Sequence, residues 1–327
     1  MLFVNIYCEG DFLYIMKLKP ALKDNIWGGT KLKNDYNFKT DLKIIAEAWT
    51  LSCHKDGENI IENGEFKGSS FTDYINAHKT VLGKKAEKYD DFPILIKLID
   101  AKNDLSIQVH PNDEYAKKYE NEFGKTEMWY VVDAEKDAKL IYGFKEKISK
   151  EDFKIAIESN TLLDVLNIVN VKQGDVFFIE AGTVHAIGKG VFIAEIQQNS
   201  NSTYRVYDYN RLGNDGKPRE LHIQKALNTA ITEPPKSKTT AESQPEKTEN
   251  ATKQLLKQCD LFTVYSYEID GKINLFADEN SFINILVIDG NGKIDDMEFK
   301  KGDSFFIPSS FGNFEIDAKA KLLVTSL

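Results

Sequence analysis

Short runs of residues in which apolar and polar side chains alternate, or in which apolar side chains are continuous, recur along most of this chain. An apolar side chain at every second position is typical of a strand with one buried face, and a continuous apolar run is typical of a buried strand. The chain is therefore predicted to be mainly β. The predicted strands lie at 44–52, 92–100, 128–133, 139–144, 176–180, 190–198, 261–269, 282–288, 304–307 and 321–327.

Two segments show helical spacing of apolar residues and begin with a capping residue. Ser70 precedes the apolar positions of the first segment, and Ser149 forms a capping box with Asp152 at the start of the second. We therefore expect helical insertions near 68–90 and 149–167. The strands at 128–133 and 139–144 are close enough in the chain to form a hairpin.

The composition changes at residues 232–254, which contain three prolines, many Lys, Glu, Ser and Thr residues, and no aromatic residue. Such a composition is typical of a linker or a long exposed loop. The prediction is a larger domain over 1–231, this linker, and a smaller β domain over 255–327. Residues 1–15 are either an upstream extension or an extra edge strand, and the sequence leaves both open.

A weak internal repeat indicates two similar β modules. The two copies read KQGDVFFIEA at 172–181 and KKGDSFFIPS at 300–309. In this register, Ile283 and Asn313 of the second copy stand opposite Glu127 and His185 of the first. Many short strands with a Gly-Asp turn before an aromatic strand favour two cupin-like jelly-roll barrels. Only the first barrel keeps side chains that bind metals.

Composition and charge exclude several classes of partner. The 327 residues are 42% hydrophobic and 28% charged, with a net charge of −9, which is typical of a globular protein and disfavours nucleic acid and anionic membranes as partners. An anionic substrate would need a local cluster of Lys and Arg. Three widely spaced cysteines and the lack of a membrane-length apolar run predict a cytoplasmic protein. No feature of the sequence specifies an oligomeric state.

Three short motifs carry side chains that bind metals. Gln108 and His110 are two residues apart, so in a strand they share one face. Glu127 and His185 lie in two further predicted strand segments. Two imidazoles, a carboxylate and an amide oxygen suit a divalent metal such as zinc, with room left for a substrate. The chain has only five histidines, and two of them belong to this set.

These motifs resemble those of the type I phosphomannose isomerases, particularly the shorter bacterial form. The resemblance runs from about residue 16 to the C-terminus and is strongest over 93–205. The matching segments are SIQVHP at 106–111, GKTEMWY at 124–130, GTVHA at 182–186 and NSNSTYRVYD at 199–208. This family is zinc-dependent and interconverts mannose 6-phosphate and fructose 6-phosphate.

The resemblance implies a small-molecule sugar phosphate as the substrate and about one zinc ion per chain. Carried over, the zinc ligands are Gln108, His110, Glu127 and His185, and Arg205 is the catalytic arginine. The short bacterial members hold zinc mainly by His, Glu and His, so the role of Gln108 stays open. The large helical domain of the family is much reduced in this chain.

Aldose–ketose isomerisation removes a proton beside a carbonyl and returns it to the neighbouring carbon, through an enediolate. A metal acting as a Lewis acid, together with the Arg205 cation, would stabilise that oxyanion. Lys125 lies two residues before Glu127 and shares its strand face, so it is a candidate proton shuttle. A metal-bound water or another carboxylate are the alternatives.

The remaining candidates concern the substrate and the kind of protein. Lys97 and Ser106 are predicted to bind the phosphate, and Trp27 is predicted to line the sugar site, although core packing explains Trp27 equally well. Two other functions stay as alternatives, and only the first of them uses the same ligands. One is a cupin oxidoreductase with non-haem iron, and the other is a non-catalytic sugar-binding protein.

Overall fold

Strands dominate the architecture, which confirms the mainly β prediction. The structure is a computed structural model that describes residues 13–213, 216–237 and 239–327. The prediction for residues 1–15 therefore lies largely outside the described residues. Ile15 is buried in the apolar core of the C-terminal sheet.

The strands of the described chain are β1 (Met16–Lys19), β2 (Ala21–Lys23), β3 (Glu47–Leu51), β4 (Ile60–Ile61), β5 (Ile94–Ala101), β6 (Ile107–Val109), β7 (Glu127–Ala134), β8 (Lys139–Phe144), β9 (Leu166–Asn170), β10 (Val176–Ile179), β11 (His185–Ile187), β12 (Val191–Gln198), β13 (Tyr204–Tyr207), β14 (Glu246–Lys247), β15 (Ala251–Gln258), β16 (Thr263–Ala277), β17 (Ile283–Ile294), β18 (Met297–Lys300), β19 (Ser304–Ile307) and β20 (Gly312–Ser326).

The helices are α1 (Lys31–Asn34), α2 (Phe71–Ala77), α3 (Asp113–Tyr119), α4 (Lys150–Glu158), α5 (Leu162–Val165) and α6 (Ile223–Thr229), with 3-10 turns at Lys79–Leu82 and Lys84–Ala86. Ser70 caps α2, and Ser149 and Asp152 form the expected capping box of α4. None of the helices in the described ranges combines the length and the apolar character needed to cross a membrane.

Two antiparallel sheets pack face to face and form the N-terminal barrel. One sheet has the strand order β10-β7-β12-β5-β3-β2, and the other has the order β13-β6-β11-β8-β9. Their facing sides bury one apolar cluster that includes Trp129, Leu140 and Ile193. The outer side of the five-stranded sheet is covered by α4 and α6 through Phe153 and Leu227. The site residues lie on strands of both sheets.

The predicted hairpin between the strands now labelled β7 and β8 is wrong. β7 pairs with β10 and β12, whereas β8 pairs with β9 and β11. The chain crosses from one sheet to the other over residues 135–138. A hairpin and a corner that crosses between sheets both need two strands joined by a short polar turn. The pattern of apolar and polar residues therefore does not distinguish a hairpin from such a corner. Because of this crossing, Glu127 on β7 lies in the sheet opposite β6 and β11.

The internal repeat is present in the backbone. Gly174 and Gly302 both have a φ of 91°, a left-handed conformation that favours glycine. The Asp after each glycine accepts a hydrogen bond from the backbone N–H three residues before it, at 2.9 Å in both turns. The following strands pair in the same register, β10 with β7 and β19 with β17, which places Ile283 where the first copy has Glu127.

The C-terminal part forms a single nine-stranded sheet around its own apolar core. Its order is β14-β15-β16-β20-β17-β19-β1-β4, with β18 on β17. β1 and β4 come from the beginning of the chain, and β1 pairs with β19. The sheet therefore crosses the predicted division between residues 1–231 and 255–327, because strand pairing follows spatial neighbours and not chain order.

The predicted linker over 232–254 is partly strand. β14 lies within it and pairs with β15, which begins at Ala251 and pairs with β16. Both residues of β14 are exposed, and most of β15 is only half-buried. Strands at the edge of a sheet carry polar residues because one side faces water. The polar composition of this segment therefore reflects exposure as well as loop structure.

A third apolar cluster joins the two parts of the molecule. Phe306 on β19 is fully buried, and its ring centroid lies 5.0 Å from that of Phe71 and 5.2 Å from that of Phe282. Phe71 belongs to α2 of the N-terminal part. An aromatic residue of the second repeat copy therefore packs in the core between the two parts.

We expect Phe306→Ala to lower the free energy of unfolding by about 3–5 kcal/mol, the usual cost of a cavity left by a buried phenylalanine. Phe276→Ala is the matched control, because Phe276 is 60% exposed. Urea denaturation of both variants measures the effect. An equal, small loss in both variants would show that the Phe306 contact does not hold the parts together.

Candidate active site

Three buried side chains from the two facing sheets converge at one end of the barrel. His110 follows β6, His185 begins β11, and Glu127 begins β7. Their ligand atoms all lie within 4.8 Å of one another. His110 Nε2 is 3.2 Å from Glu127 Oε1, and His185 Nε2 is 4.0 Å from Glu127 Oε2. The structure thus brings together the three motif residues.

Hydrogen bonds to the backbone orient both imidazoles. His110 Nδ1 is 2.8 Å from the carbonyl oxygen of Ser202, and His185 Nδ1 is 2.9 Å from that of Thr183. A carbonyl oxygen only accepts, so each Nδ1 must carry the proton, and each Nε2 of the neutral ring presents a lone pair to the site. Burial lowers the pKa of His185 and lowers that of His110 to about 3. Both rings are therefore neutral near pH 7.

Glu127 is ionised opposite these lone pairs. Burial acts to raise its pKa, but the positive charge of Lys125 holds the pKa well below its ordinary value. The Lys125 ammonium contacts Glu127 Oε1 and lies 3.0 Å from His110 Nε2. Acceptor atoms this close repel one another unless a cation lies among them. The donor set therefore fits a divalent metal, which would replace the ammonium between these atoms.

Gln108 lies beside the three ligands. His185 and Gln108 are opposite each other in the β11–β6 pairing. The amide nitrogen of Gln108 is 3.4 Å from His185 Nε2, and its Oε1 accepts from the Ser106 hydroxyl at 3.4 Å. In this orientation the amide turns its nitrogen toward the site. Ligation by Gln108 requires the opposite amide orientation, in which Oε1 faces the metal.

A chain of charged and aromatic side chains leads away from Glu127 along the six-stranded sheet. Trp129 Nε1 donates to Glu127 Oε2 and to Glu195 Oε2, at 2.9 Å each. Lys97 lies 3.3 Å from Glu195 and 3.8 Å from Glu47. Burial acts to lower the pKa of Lys97, but these two carboxylates raise it, whereas burial and the nearby Glu127 raise the pKa of Glu195.

Sequence reasoning missed Glu195 and Trp129. Glu195 is 3% exposed and lies in β12, where all eight residues are buried. The available signal was a carboxylate within an otherwise apolar strand, since buried acids need partners. Trp129 gave no signal, because its position in an aromatic strand is also explained by packing.

A cavity of about 330 Å³ opens beside the metal-ligand candidates. It is lined by six residues that the sequence predicted for the site, namely Trp27, Lys97, Ser106, Gln108, Lys125 and Arg205. It is also lined by residues outside the prediction, including Glu47, Glu195 and Arg219. A larger cleft of about 540 Å³ lies between β7 and the C-terminal sheet. Its lysines are ion-paired and it does not reach the ligand residues, so we assign the chemistry to the smaller cavity.

Arg205 enters the cavity from β13, where it stands opposite Gln108. Its Nη1 donates to the carbonyl oxygen of Glu220 at 2.9 Å. Its Nε is buried and has no hydrogen-bond partner in the described chain. Burial, reinforced by the positive charge of Arg219, lowers the pKa of Arg205. The guanidinium is thus placed in the cavity with a donor still unused.

A second network supports the segment that orients His110. Glu122 Oε2 accepts from the Ser202 hydroxyl at 3.0 Å and from the Asn201 N–H at 3.1 Å. His54, which is 5% exposed, lies 3.6 Å from the other oxygen of Glu122. This contact with His54 lowers the pKa of Glu122 to about 2. Glu122 therefore holds the backbone that receives the His110 Nδ1 hydrogen bond.

Comparison with known proteins agrees with this geometry. Residues 15–146 match the phosphomannose isomerase type I catalytic domain, and residues 251–327 match the mannose-6-phosphate isomerase cupin domain. Mannose-6-phosphate isomerase ManA of Bacillus subtilis is 39% identical over 94% of this chain and 98% of its own length. The chain belongs to the type I phosphomannose isomerase family.

Other relatives cover the chain to the same extent. The mannose-6-phosphate isomerase of Streptococcus mutans is 33% identical over 94% of this chain and 96% of its own. The crystal structure of the mannose 6-phosphate isomerase of Bacillus subtilis superposes with a TM-score of 0.89 at 36% identity, over 96% of this chain and 99% of that one. These matches confirm the family resemblance and the cupin fold that the sequence motifs predicted.

We expect Glu122→Gln to weaken metal binding by about tenfold. Substitution of a residue that orients a metal ligand commonly lowers the metal affinity by roughly 10- to 100-fold. Competition with a zinc indicator in equilibrium dialysis measures the dissociation constant. Glu120→Gln is the matched control, since Glu120 accepts from Tyr204 and Lys225 at 2.7 Å and has no contact with the Ser202 segment among the described residues. Equal affinities in the two variants would rule out the positioning role.

Proposed function

We propose that this protein is a zinc-dependent aldose–ketose isomerase that interconverts mannose 6-phosphate and fructose 6-phosphate. The observation that carries the proposal is the convergence of two neutral imidazole nitrogens and an ionised carboxylate beside a cavity with basic lining. Two relatives bearing the name mannose-6-phosphate isomerase, at 39% and 33% identity over nearly their whole length, support the choice of substrate.

His110, Glu127 and His185 would hold the metal, with Gln108 as a fourth ligand after its amide turns. Nitrogen and carboxylate oxygen donors in this number suit zinc and leave a position for the substrate. When bound, the metal supplies Lewis-acid polarisation of a substrate oxygen. The depressed pKa values of the histidines and Glu127 keep all three groups deprotonated near pH 7, as metal ligands must be.

Lys125 is proposed to carry the proton between the two neighbouring carbons of the sugar. Its ammonium nitrogen is buried, lines the cavity and lies next to the ligand atoms. In its amine form, a single group that reaches both carbons can remove a proton from one, hold it as the ammonium and return it to the other. The geometry does not favour another carboxylate for this role, because Glu195 is already bound to Trp129 and Lys97.

Arg205 is proposed to stabilise the negative charge of the enediolate. Its guanidinium is positioned before the reaction by the bond to the Glu220 carbonyl, so little reorganisation is needed as the charge develops. Trp27 is buried and lines the cavity, where its ring would exclude water and pack against the sugar. Ser106 is bound to Gln108 and stays a predicted substrate contact.

Removal of the metal tests the function directly. We expect the zinc-loaded protein to convert mannose 6-phosphate in a coupled assay, the chelator-treated protein to lose this activity, and added zinc to restore it. Absence of turnover by the zinc-loaded protein would defeat the proposal. Oxygen uptake that depends on iron, without isomerase activity, would favour an oxidoreductase with the same two-histidine, one-carboxylate set.

Lys125→Met tests the proton-transfer role, because methionine has nearly the same length but carries no proton. We expect kcat to fall by about 10²- to 10⁴-fold, the usual contribution of a general acid–base group. The zinc content, measured by atomic emission, should stay near that of the unmodified protein. A variant that keeps kcat within about threefold would assign the proton transfer to another group.

A further inference from the structure

We propose that Arg219, held by Asp208 and adjacent to Arg205, binds the phosphate group of the substrate. This inference rests on the proposed function and specifies the direction in which the sugar phosphate lies in the cavity. It places the phosphate at the arginine end, away from Lys97, and the reacting carbons at the end formed by Lys125 and Gln108.

Asp208 fixes the orientation of the Arg219 guanidinium. Its two carboxylate oxygens accept from Arg219 Nε at 2.7 Å and from Arg219 Nη2 at 2.6 Å. Such a paired contact holds the planar fork of the arginine in one direction. Asp208 is only 5% exposed, so the pair is shielded from water on the carboxylate side. Arg219 itself lines the cavity.

The backbone brings Arg219 next to Arg205. Arg205 Nη1 donates to the carbonyl oxygen of Glu220, the residue that follows Arg219, and the His222 N–H donates to the Arg205 carbonyl oxygen at 2.7 Å. Arg205 in turn stands opposite Gln108 in the sheet. The order across the cavity is therefore Gln108, Arg205 and Arg219, from the metal-ligand candidates outward.

The arginine end of the cavity has an excess of positive charge. Arg205 and Arg219 both line the cavity at this end, and the one buried carboxylate beside them, Asp208, is also bound by Arg211, which is not among the described residues that line the cavity. The Glu220 side chain is 83% exposed, so water and salt screen most of its charge from Arg205. In a chain with a net charge of −9, this is the kind of local cluster that an anionic substrate requires. A phosphate dianion would compensate the excess.

Lys97, which the sequence suggested for the phosphate, has its charge compensated already. It lies between Glu195 and Glu47, and its ammonium is 4.9 Å from the centre of the Trp49 ring. A dianion placed there would face two carboxylates at short range, and like charges in a buried site repel strongly. The phosphate is therefore favoured at Arg219.

Arg219→Gln is the test, and Arg211→Gln is its matched control. Both arginines bind Asp208 Oδ1 at 2.6 Å, and both side chains are 22% exposed. Arg219 lines the cavity, whereas Arg211 is not among the described residues that do. The measurements are kcat and KM for mannose 6-phosphate with the zinc-loaded full chain, and competitive inhibition by inorganic phosphate.

We expect Arg219→Gln to raise KM by roughly 10- to 150-fold, which corresponds to the loss of a charged hydrogen bond, with kcat changed by less than about threefold. Inhibition by inorganic phosphate should weaken by a similar factor. Arg211→Gln should change both quantities by less than about threefold. If the two variants behave alike, or if only kcat falls in Arg219→Gln, the assignment is overturned.

Two further measurements keep the outcomes distinct. Equilibrium dialysis with radiolabelled phosphate compares binding to the unmodified protein and to Arg219→Gln, so the phosphate site is tested even if no isomerase activity is found. If Arg219→Gln does not fold, as judged by thermal melting, Arg219→Lys replaces it with Arg211→Lys as control. A lysine keeps the charge without the paired contact, so KM should still rise more in Arg219→Lys.

Discussion

Mutual repulsion among three buried acceptor groups is the constraint on which the rest of this structure depends. His110 and His185 turn lone pairs toward the ionised Glu127, and no water surrounds these atoms because all three residues are at most 1% exposed. Such a group is stable only with a cation among its members. The Lys125 ammonium meets this requirement here, and a divalent metal ion would meet it more fully.

The two facing sheets of the N-terminal barrel bring these three side chains together. Glu127 comes from one sheet and the histidines from the facing one, so the distance between them depends on how the apolar core between the sheets is packed. The C-terminal sheet repeats the same turn and register but has Ile283 in place of Glu127. Its copy of the aromatic strand contributes Phe306 to the core between the two parts. The first copy therefore contributes a metal-ligand candidate, and the second copy contributes a buried aromatic residue to the core.

The residues that sequence reasoning identified are those whose chemical type and spacing are local. His110, Glu127 and His185 lie in short motifs, and the Ser149 cap depends only on the next three residues. The fold class followed from strand alternation and the Gly-Asp repeat. These signals need no knowledge of which strands are neighbours.

The features that were missed depend on long-range pairing. The expected hairpin failed because β7 and β8 enter different sheets, and the predicted linker contains β14 because an exposed edge strand has the same polar composition as a loop. Glu195 contacts the site through Trp129, which lies 66 positions away in the chain. Arg219 became a candidate only when the fold placed it beside Arg205.

Anomalous X-ray scattering from crystals of the zinc-loaded protein, recorded on both sides of the zinc absorption edge, tests the convergence most directly. We predict one strong peak among His110 Nε2, His185 Nε2 and a carboxylate oxygen of Glu127, at about 2.0–2.2 Å from each, with Lys125 withdrawn into the cavity. A peak elsewhere, or none at this position in crystals that contain stoichiometric zinc, would contradict the assignment of these three residues as the metal site.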